Sequence, residues 1–456
     1  MFRSAVLTAL IGAAVCLATG ACSKRERLPA ACSDCNVVLI SMDTVRADHL
    51  GVYGHTRATS PNVDRFAEHA AVFENAISQS AWTLPAHASM MTGLYPGRLG
   101  VSHYPAKRSI PKVPMLAEQF RSAGYATGAF TGGGFVAAHF GFSRGFDVYS
   151  SDGRRFEHNM EAALAWLKQN RERRFFLFLH GYDAHRPYFS RPDDKASIGL
   201  TGKRNAERRG FCVKANRSRP PDLDVVLQYY DASIRHGDLE VGRFLNALEA
   251  LELSGRTVVL ITSDHGEEFF EHGNCDHVRF LYREVVNVPF LLRVPGHPSG
   301  GKRVAEIVPA SISVGRTLLE LVGIDASDFP GPSLMPLLRG EVSPFESVYS
   351  ETDSIPGVLG SRGATIARTT SRHKLIAYLD EKKEEGYDVV TDVAEQHALP
   401  DADPVYQQRD DLSAWKKSVV PIEAPPRKSA RKARPAEELP SEIQKQLESL
   451  GYLEQE

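Results

Sequence analysis

The sequence has almost no net charge and no long apolar run beyond its first segment. Lys and Arg total 54 against 56 Asp and Glu, so the formal net charge is -2 over 456 residues. This balance gives no reason to expect nucleic acid as a partner. Charged residues make up 24% and hydrophobic residues 42%, which is ordinary globular composition and excludes a disordered chain or a many-pass membrane protein.

Cysteine is scarce, with six residues in the chain, two of which lie in the N-terminal segment. Cys32-x-x-Cys35 has the spacing of a redox or zinc motif, but no second CxxC and no suitable His pair lies nearby. We therefore expect a loop before the domain that can hold a local disulfide. Cys212 and Cys275 can also pair in an oxidising compartment, although the sequence alone does not pair them.

The N-terminal segment has the features of an export signal. An uncharged, apolar stretch from Ala5 to Ala21 follows Arg3 and is short for a membrane span. It ends in small residues before Cys22, which predicts a signal peptide of the lipoprotein type over residues 1–22. Thr19 replaces the consensus Leu, so plain secretion and an uncleaved anchor stay open as alternatives. We expect an exported protein of the periplasm or cell envelope, tethered to the membrane by a lipid on Cys22.

Alternating strand and helix patterns predict the main domain. Helical patterns, for example His158–Lys168 and Val225–Leu251, lie between short buried strands. The strands are Asn36–Met42, Phe175–Leu179, Thr257–Thr262 and Val288–Val294. This alternation predicts an α/β domain with a largely parallel sheet over residues 36–343, after a linker over residues 23–35.

The pattern changes after residue 343. Short alternating segments over residues 344–420 predict a small antiparallel α+β subdomain. Residues 421–436 are rich in Pro, Ala and basic side chains, which is typical of a linker. Residues 437–456 then form an amphipathic terminal helix.

Polar residues that can bind a metal follow two of the predicted strands. Open α/β sheets bind ligands beyond the carboxyl ends of their strands. Asp43 follows the first strand, and Asp264 and His265 follow the strand that ends at Thr262. Two carboxylates and an imidazole form a good ligand set for a divalent metal. Each Asp alone can also be explained as a helix N-cap.

A third element adds a reactive hydroxyl. In the segment Ser80–Gly93, Pro85 suits the first turn of a helix, so Thr83 lies at or just before the N-cap. The free N–H groups and the helix dipole at this position favour an anion or a deprotonated hydroxyl. A simple capping role for Thr83 is the alternative.

Five stretches, in order along the chain, resemble the sulfatase family of the alkaline phosphatase superfamily. They are Asn36–His55, Ala71–Val101, Phe175–Tyr188, Thr262–Gly296 and Tyr387–Leu399. The resemblance implies an alkaline phosphatase-like α/β/α sandwich with a large mixed, mostly parallel sheet, plus the small C-terminal antiparallel subdomain.

The same resemblance implies a role for each matching residue. The metal ligands would be Asp43, Thr83, Asp264 and His265. Thr83 would also be the nucleophile, and His185 and His277 would face the anionic group or its leaving oxygen. Asn75 and His87 would contact the substrate.

The sequence departs from the sulfatase pattern at its reactive centre. Thr83 stands where formylglycine sulfatases have Cys or Ser, and a Cβ that already bears a methyl cannot become an aldehyde. His87 replaces the motif's Arg, and Thr44 replaces the second Asp of the usual pair. Ala129 and Thr131 stand where sulfatases often have Lys and His for the sulfate.

Three functions are compatible with this pattern. The first is a hydrolase or transferase that uses Thr83 directly on a phosphodiester-like ester, as in relatives of the superfamily with Thr at this position. The second is a sulfatase that works without formylglycine. The third is a binding protein with a decayed site. The enzymatic functions imply one divalent metal ion, Mn²⁺, Zn²⁺ or Ca²⁺, and an anionic ester of a small molecule, glycan or lipid.

Overall fold

A computed structural model describes residues 32–104, 109–188, 191–199, 223–297, 301–354, 362–422 and 439–452. The predicted signal peptide, Cys212 and most of the predicted linker over residues 421–436 lie outside these ranges. Cys32 and Cys35 form the expected local disulfide, and Cys275 is also disulfide-bonded. Within the described ranges, none of the helices has the length and apolar character needed to cross a membrane.

The strands of the described ranges fall into a large sheet, a small sheet and a short hairpin. They are β1 (Asn36–Met42), β2 (Ala71–Ile77), β3 (His103–Tyr104), β4 (Ala126–Phe130), β5 (Val148–Ser150), β6 (Phe175–Gly181), β7 (Thr257–Thr262), β8 (Glu268–Phe269), β9 (Cys275–Asp276), β10 (Phe290–Arg293), β11 (Arg303–Pro309), β12 (Val348–Ser354), β13 (Thr365–Thr369), β14 (His373–Tyr378) and β15 (Lys383–Asp388).

The α-helices lie mainly between these strands. They are α1 (Pro61–Ala67), α2 (Thr83–Thr92), α3 (Pro96–Leu99), α4 (Leu116–Ser122), α5 (Phe156–Asn170), α6 (Pro192–Ser197), α7 (Leu223–Ala250), α8 (Arg283–Val286), α9 (Ala310–Leu321), α10 (Met335–Leu338), α11 (Arg409–Ser418) and α12 (Ser441–Ser449).

The large sheet has the order β11-β2-β10-β7-β1-β6-β4-β5. Strand β1 pairs in parallel with β6 and β7, and β4 pairs in parallel with β5 and β6. Strand β10 runs antiparallel to β2 and β7, while β11 is parallel to β2. The prediction of a mixed, mostly parallel sheet is confirmed. The carboxyl ends of β1, β2, β6 and β7 consequently meet at one edge.

Both faces of this sheet are covered by helices, as the sandwich prediction requires. Val37 and Leu39 of β1 join one apolar cluster with α2, α4, α9 and α12. Val38 and Ile40 join a second cluster with α1, α5 and α7. Because successive side chains of a strand point to opposite faces, a central strand buried on both faces is apolar throughout.

The small sheet has the order β15-β14-β13-β12-β3. Strands β12 to β15 form the predicted antiparallel subdomain, and α11 lies against it through Leu412. Strand β3 extends this sheet by pairing in parallel with β12, through His103 opposite Asp353. The sequence pattern does not predict this strand, because a strand of two residues has no detectable periodicity.

The Glu385 carboxylate links the small sheet to the main domain through hydrogen bonds. Glu385 of β15 accepts hydrogen bonds from the hydroxyls of Tyr282, Tyr378 and Tyr387 at 2.6, 2.9 and 3.1 Å. Tyr282 directly precedes α8 of the main domain. Burial alone would raise the pKa of Glu385, but the hydrogen bonds from Lys383, Tyr282 and Tyr378 outweigh burial and lower it to about 2.

We predict that Glu385→Gln destabilises the fold at neutral pH more than at acidic pH. A depressed folded-state pKa contributes stability above the unfolded value of about 4.3, and this stability is lost as the pH falls towards 2. We expect a loss of about 1–2 kcal/mol in the free energy of unfolding at neutral pH, shrinking in acid. Denaturant titrations at several pH values measure this loss, with exposed Glu172→Gln as the control. A pH-independent loss would contradict the prediction.

Candidate active site

Three predicted metal ligands meet at the edge where β1 and β7 end. Asp43 follows β1, and Asp264 and His265 follow β7. One ligand atom from each lies within 4.8 Å of the others, and all three side chains are fully buried. The parallel pairing of Ser41 with Thr262 brings these positions together.

Within the described residues, Asp43 Oδ1 and Asp264 Oδ2 are buried without a hydrogen-bond partner. Burial and the neighbouring Asp264 carboxylate raise the pKa of Asp43 well above its usual range. Burial opposes ionisation of Asp264 as well, but His265 and His87 outweigh it and hold its pKa well below the usual range. Buried carboxylate oxygens without partners are costly unless a cation binds them.

His265 presents the right nitrogen for the same cation. Its Nδ1–H donates to the Gly266 carbonyl at 2.9 Å, and its other nitrogen, Nε2, lies on the side of the carboxylates, 3.2 Å from Asp264 Oδ2. Two carboxylate oxygens and one imidazole nitrogen fit a divalent ion of the Mn²⁺ or Zn²⁺ type. The residues present therefore fit the metal that the sequence implies.

Backbone strain next to Asp43 helps to hold this arrangement. Thr44 has a φ of 58°, which is unusual for a β-branched residue. In this conformation its N–H donates to Asp264 Oδ1 at 3.2 Å. Where the sulfatase pattern has a second Asp, Thr44 therefore supplies a backbone N–H that orients the Asp264 ligand. The surrounding contacts must offset the cost of its left-handed backbone conformation.

His180 also belongs to the site, although it was not among the predicted ligands of the single metal ion or the predicted substrate contacts. Its Nδ1 accepts the Gly132 N–H at 3.2 Å, and burial holds its pKa well below the usual range, so a neutral ring carries its proton on Nε2. Nε2 then donates to Asp43 Oδ2 at 3.0 Å. Such a contact orients a metal-binding carboxylate. The only sequence signal was its position near the carboxyl end of β6.

Thr83 is the first residue of helix α2, one residue beyond the N-cap Trp82. Its Oγ1 lies 3.4 Å from His265 Nε2, so the hydroxyl adjoins the metal-ligand group. The side chain is fully buried. The predicted quartet of Asp43, Thr83, Asp264 and His265 is therefore brought together at one helix start.

His87 and Asn75 lie differently from the prediction. His87 contacts the Thr83 carbonyl and Ser41 Oγ, each at 2.9 Å, and its Nδ1 lies 3.4 Å from Asp264 Oδ2. It therefore lies beside a metal-ligand carboxylate with both nitrogens engaged by the protein, and does not face a substrate. Its i,i+4 spacing from Thr83 on α2 explains this placement.

Asn75 is not brought to the cluster. Its amide donates to the Ala305 carbonyl at 2.8 Å, across the β2–β11 pairing. It lines a separate cavity of about 300 Å³ with Asp48, Arg283 and Arg303. The expected contact of Asn75 with the transferred group is therefore corrected.

His185 and His277 converge beside Thr83. His277 contacts Glu267 Oε1 at 3.1 Å and Asp276 Oδ1 at 3.0 Å through Nδ1. Burial opposes its charge, but Asp276 and Glu267 outweigh burial and raise the pKa of His277 to about 9. At neutral pH His277 is therefore an imidazolium that can donate a proton.

His185 has the opposite character. Its Nδ1–H donates to the Arg186 carbonyl at 2.6 Å. Burial and the neighbouring His277 hold its pKa well below the usual range, so the ring is neutral and Nε2 is an acceptor. Adjacent acceptor and donor imidazoles with separated pKa values suit paired acid and base roles.

Both imidazoles contact the same hydroxyl, which comes from the C-terminal end of the chain. Tyr452 Oη lies 2.8 Å from His185 Nε2, 2.8 Å from His277 Nε2 and 3.2 Å from Thr83 Oγ1. Tyr452 was not among the predicted site residues, because the pattern of the terminal helix marks it only as an apolar position.

The mostly parallel sandwich, with a buried hydroxyl, carboxylates and imidazoles at its carboxyl edge, defines a hydrolytic enzyme of the alkaline phosphatase-like superfamily. Sequence-family matches are more specific. The family described as Sulfatase matches residues 35–324, and the one described as N-sulphoglucosamine sulphohydrolase, C-terminal, matches residues 270–416. The chain belongs to the sulfatase family.

Curated relatives extend this match over most of the chain. The endo-4-O-sulfatase of Bacteroides thetaiotaomicron is 25% identical over 391 residues, which cover 71% of this chain and 76% of the relative. The delta 4,5-hexuronate-2-O-sulfatase of the same organism is 26% identical and covers 87% and 89%. Human arylsulfatase A is 26% identical and covers 72% and 73%. The prediction of an ester-hydrolysing enzyme is confirmed.

Solved structures show the same fold. A protein in complex with its substrate D-glucosamine-2-N,6-O-disulfate aligns with a TM-score of 0.70 at 18% identity, covering 84% of this chain and 97% of its own. The phosphonate monoester hydrolase of Agrobacterium radiobacter aligns with a TM-score of 0.66 at 19% identity, covering 84% and 95%.

We predict that the chelated and Mn²⁺- or Zn²⁺-reloaded protein binds metal stoichiometrically and that Asp264→Asn abolishes this binding. The substitution keeps the Thr44 contact at Oδ1 but can direct an amide N–H at the cation instead of a carboxylate oxygen. Elemental analysis after dialysis measures the bound metal. Full occupancy in Asp264→Asn would show that the ligand set is wrong.

A second cluster provides the matched control. His49 and His55 contact Asp231, but Arg57 already pairs with this carboxylate at 2.6 Å. Because Arg57 neutralises the charge that would attract a cation, His55→Gln should leave the metal content unchanged.

Proposed function

We propose that this protein is a metal-dependent hydrolase that cleaves a singly charged ester of the phosphodiester type by direct attack of the Thr83 hydroxyl. One observation carries the proposal. The Thr83 hydroxyl, at the start of a helix, adjoins His265 Nε2 and two buried carboxylates whose free oxygens fit a cation.

Asp43, Asp264, His265 and Thr83 would hold the metal ion. When bound, such an ion supplies positive charge that lowers the pKa of a coordinated hydroxyl and stabilises developing negative charge. The N-terminus of α2 adds backbone N–H groups and a favourable dipole at the same point. Thr83 is thereby disposed to react as an alkoxide.

The two imidazoles divide the proton transfers. His185 Nε2 takes the Thr83 proton as Oγ1 bonds to phosphorus, and His277 gives its Nε2 proton to the departing alcohol as the bond to phosphorus breaks. Water then attacks the phospho-threonine and returns a proton to His277. The bond from phosphorus to Oγ1 breaks, and His185 returns its proton to Thr83.

The charge of the site favours a singly charged group. Ala129 and Thr131 replace two charged sulfate contacts, and Thr131 Oγ1 instead donates to the Ser150 carbonyl at 3.3 Å. A doubly charged phosphate monoester would need more fixed positive charge. A phosphodiester, a phosphonate monoester and a sulfate monoester each carry one negative charge and meet this requirement.

A sulfate ester is the second proposed substrate, and the relatives favour it. The curated relatives are named as sulfatases, two of them for hexuronate 2-O-sulfate and 4-O-sulfate positions. By this comparison a sulfated glycan is the corresponding substrate class. Thr83 would then attack sulfur directly, because its Cβ methyl prevents conversion to formylglycine.

We predict that a panel of an aryl phosphodiester, a phosphonate monoester and an aryl sulfate gives turnover of the phosphodiester, and that Thr83→Ala lowers kcat by at least about 10³-fold. Mass spectrometry of the rapidly acid-quenched enzyme should find the covalent adduct on the peptide that carries Thr83. Thr92→Ala, at the other end of α2, is the matched control and should retain activity.

Each other outcome has a definite meaning. Turnover of the aryl sulfate alone supports the sulfatase alternative. Undiminished activity in Thr83→Ala identifies another nucleophile. Failure of the wild type to turn over any substrate or to bind metal supports the binding-protein alternative.

We further infer that the protein is exported and tethered through a lipid on Cys22. The disulfide between Cys32 and Cys35 and the disulfide-bonded Cys275 support an oxidising compartment. In bacterial cells, Cys22→Ala should move the protein from the membrane fraction to the soluble fraction, as immunoblots of the fractions would show. Retention of Cys22→Ala in the membrane fraction would contradict lipid anchoring.

A further inference from the structure

Residues 439–452 bring the C-terminal end of the described chain into the proposed active site. Helix α12 buries Ile443 and Leu447 in the same apolar cluster as α2. Leu450 and Tyr452 belong to this cluster, and the Tyr452 ring packs edge-to-face on Phe135 with centroids 4.7 Å apart. The apolar side of the segment thus forms part of the wall of the site.

The segment also makes hydrogen bonds to the surrounding loops. Gln446 accepts the Gly134 N–H at 2.8 Å and donates to the Ser151 carbonyl at 3.2 Å. Arg154 donates to the Ser449 carbonyl at 3.0 Å. These contacts fix α12 in one orientation, with the tyrosine that follows it directed inward.

With this segment in place, the reactive groups are sealed. Thr83, Asp43, His265 and His185 have no exposed surface, and His277 is 1% exposed. A cavity of about 1180 Å³ in the described structure is lined by residues such as Tyr95 and not by Thr83. In this conformation none of these side chains therefore presents an open surface to a substrate.

The Tyr452 hydroxyl occupies the place that an ester oxygen would need. It contacts Thr83 Oγ1 and both imidazoles at hydrogen-bond distance. These are the groups that a transferred group must contact while its central atom lies about 3 Å from the nucleophile. A tyrosine acting as a catalytic group would leave the space between Thr83 and the two imidazoles open for the substrate. The Tyr452 hydroxyl fills that space.

We propose that residues 439–452 act as an intramolecular plug, in which the Tyr452 phenol takes the position of the substrate's anionic group and must withdraw before substrate binds. The proposal rests on the function proposed above. It assigns the C-terminal segment a regulatory role: the enzyme is closed as folded, and its apparent affinity for substrate is reduced by the fraction of closed molecules.

The test uses the full-length, metal-reloaded protein and a substitution remote from the chemistry. Leu447→Ala removes a buried contact of α12 without touching the reactive groups, and so should favour the open state. We expect kcat/KM to rise by about tenfold or more, since the closed state no longer competes as strongly. Tyr452→Ala should raise it as well. Lys445→Ala, on the exposed side of α12, is the control and should match the wild type.

A binding measurement separates failure of the plug from failure of the proposed reaction. Calorimetry with inorganic phosphate below neutral pH, where this anion is mainly singly charged, should show tighter binding to Leu447→Ala than to the wild type, even if no substrate on the panel is turned over. Phosphate should also speed amide hydrogen exchange of α12 in the wild type. Thermal unfolding checks that each variant folds.

The opposite results would overturn the plug. A fall in both kcat/KM and phosphate affinity in Leu447→Ala and Tyr452→Ala would make Tyr452 a working part of the open site. Unchanged kcat/KM, phosphate affinity and exchange rates would show that the segment does not gate access.

Discussion

The structure depends on the placement of two carboxylates side by side in a buried position. Asp43 and Asp264 follow neighbouring parallel strands, and each has one oxygen without a hydrogen-bond partner among the described residues. Burial and their mutual repulsion raise the pKa of Asp43, whereas imidazoles supply part of the positive charge that a divalent cation would complete. The backbone N–H of Thr44 and the proton of His180 satisfy the remaining oxygens, so the ligand geometry is set before any cation arrives.

The parts of the fold that could be predicted follow from local physics. Strands β1 and β7 match their predicted bounds because a strand buried on both faces is a continuous apolar run between polar ends. Once those two strands are parallel neighbours, Asp43, Asp264 and His265 must lie near one another, whatever the loops do. The resemblance to sulfatases predicted that Thr83 is the reactive residue. From the local sequence alone, Thr83 could equally have been a simple helix cap.

The remaining parts involve distant contacts for which the sequence has no local signal. The Asn75 amide bonds the Ala305 carbonyl only because β2 pairs with β11, and no local sequence pattern specifies that pairing. His87 has the residue type of a substrate contact, but its side chain runs along α2 towards Ser41 and Asp264. The sequence pattern marks Tyr452 as an apolar position of an amphipathic helix. Only the packing of that helix against the main domain brings the Tyr452 hydroxyl to Thr83.

The pairing of β3 with β12 joins His103, early in the main domain, to Asp353, at the start of the small sheet. A contact between positions so far apart in the chain is costly in loop entropy, and such contacts slow folding. The pairing can form only once both segments are present, so this edge of the small sheet requires the chain up to at least Asp353. The small sheet therefore includes backbone from the N-terminal half of the chain as well as from the C-terminal part.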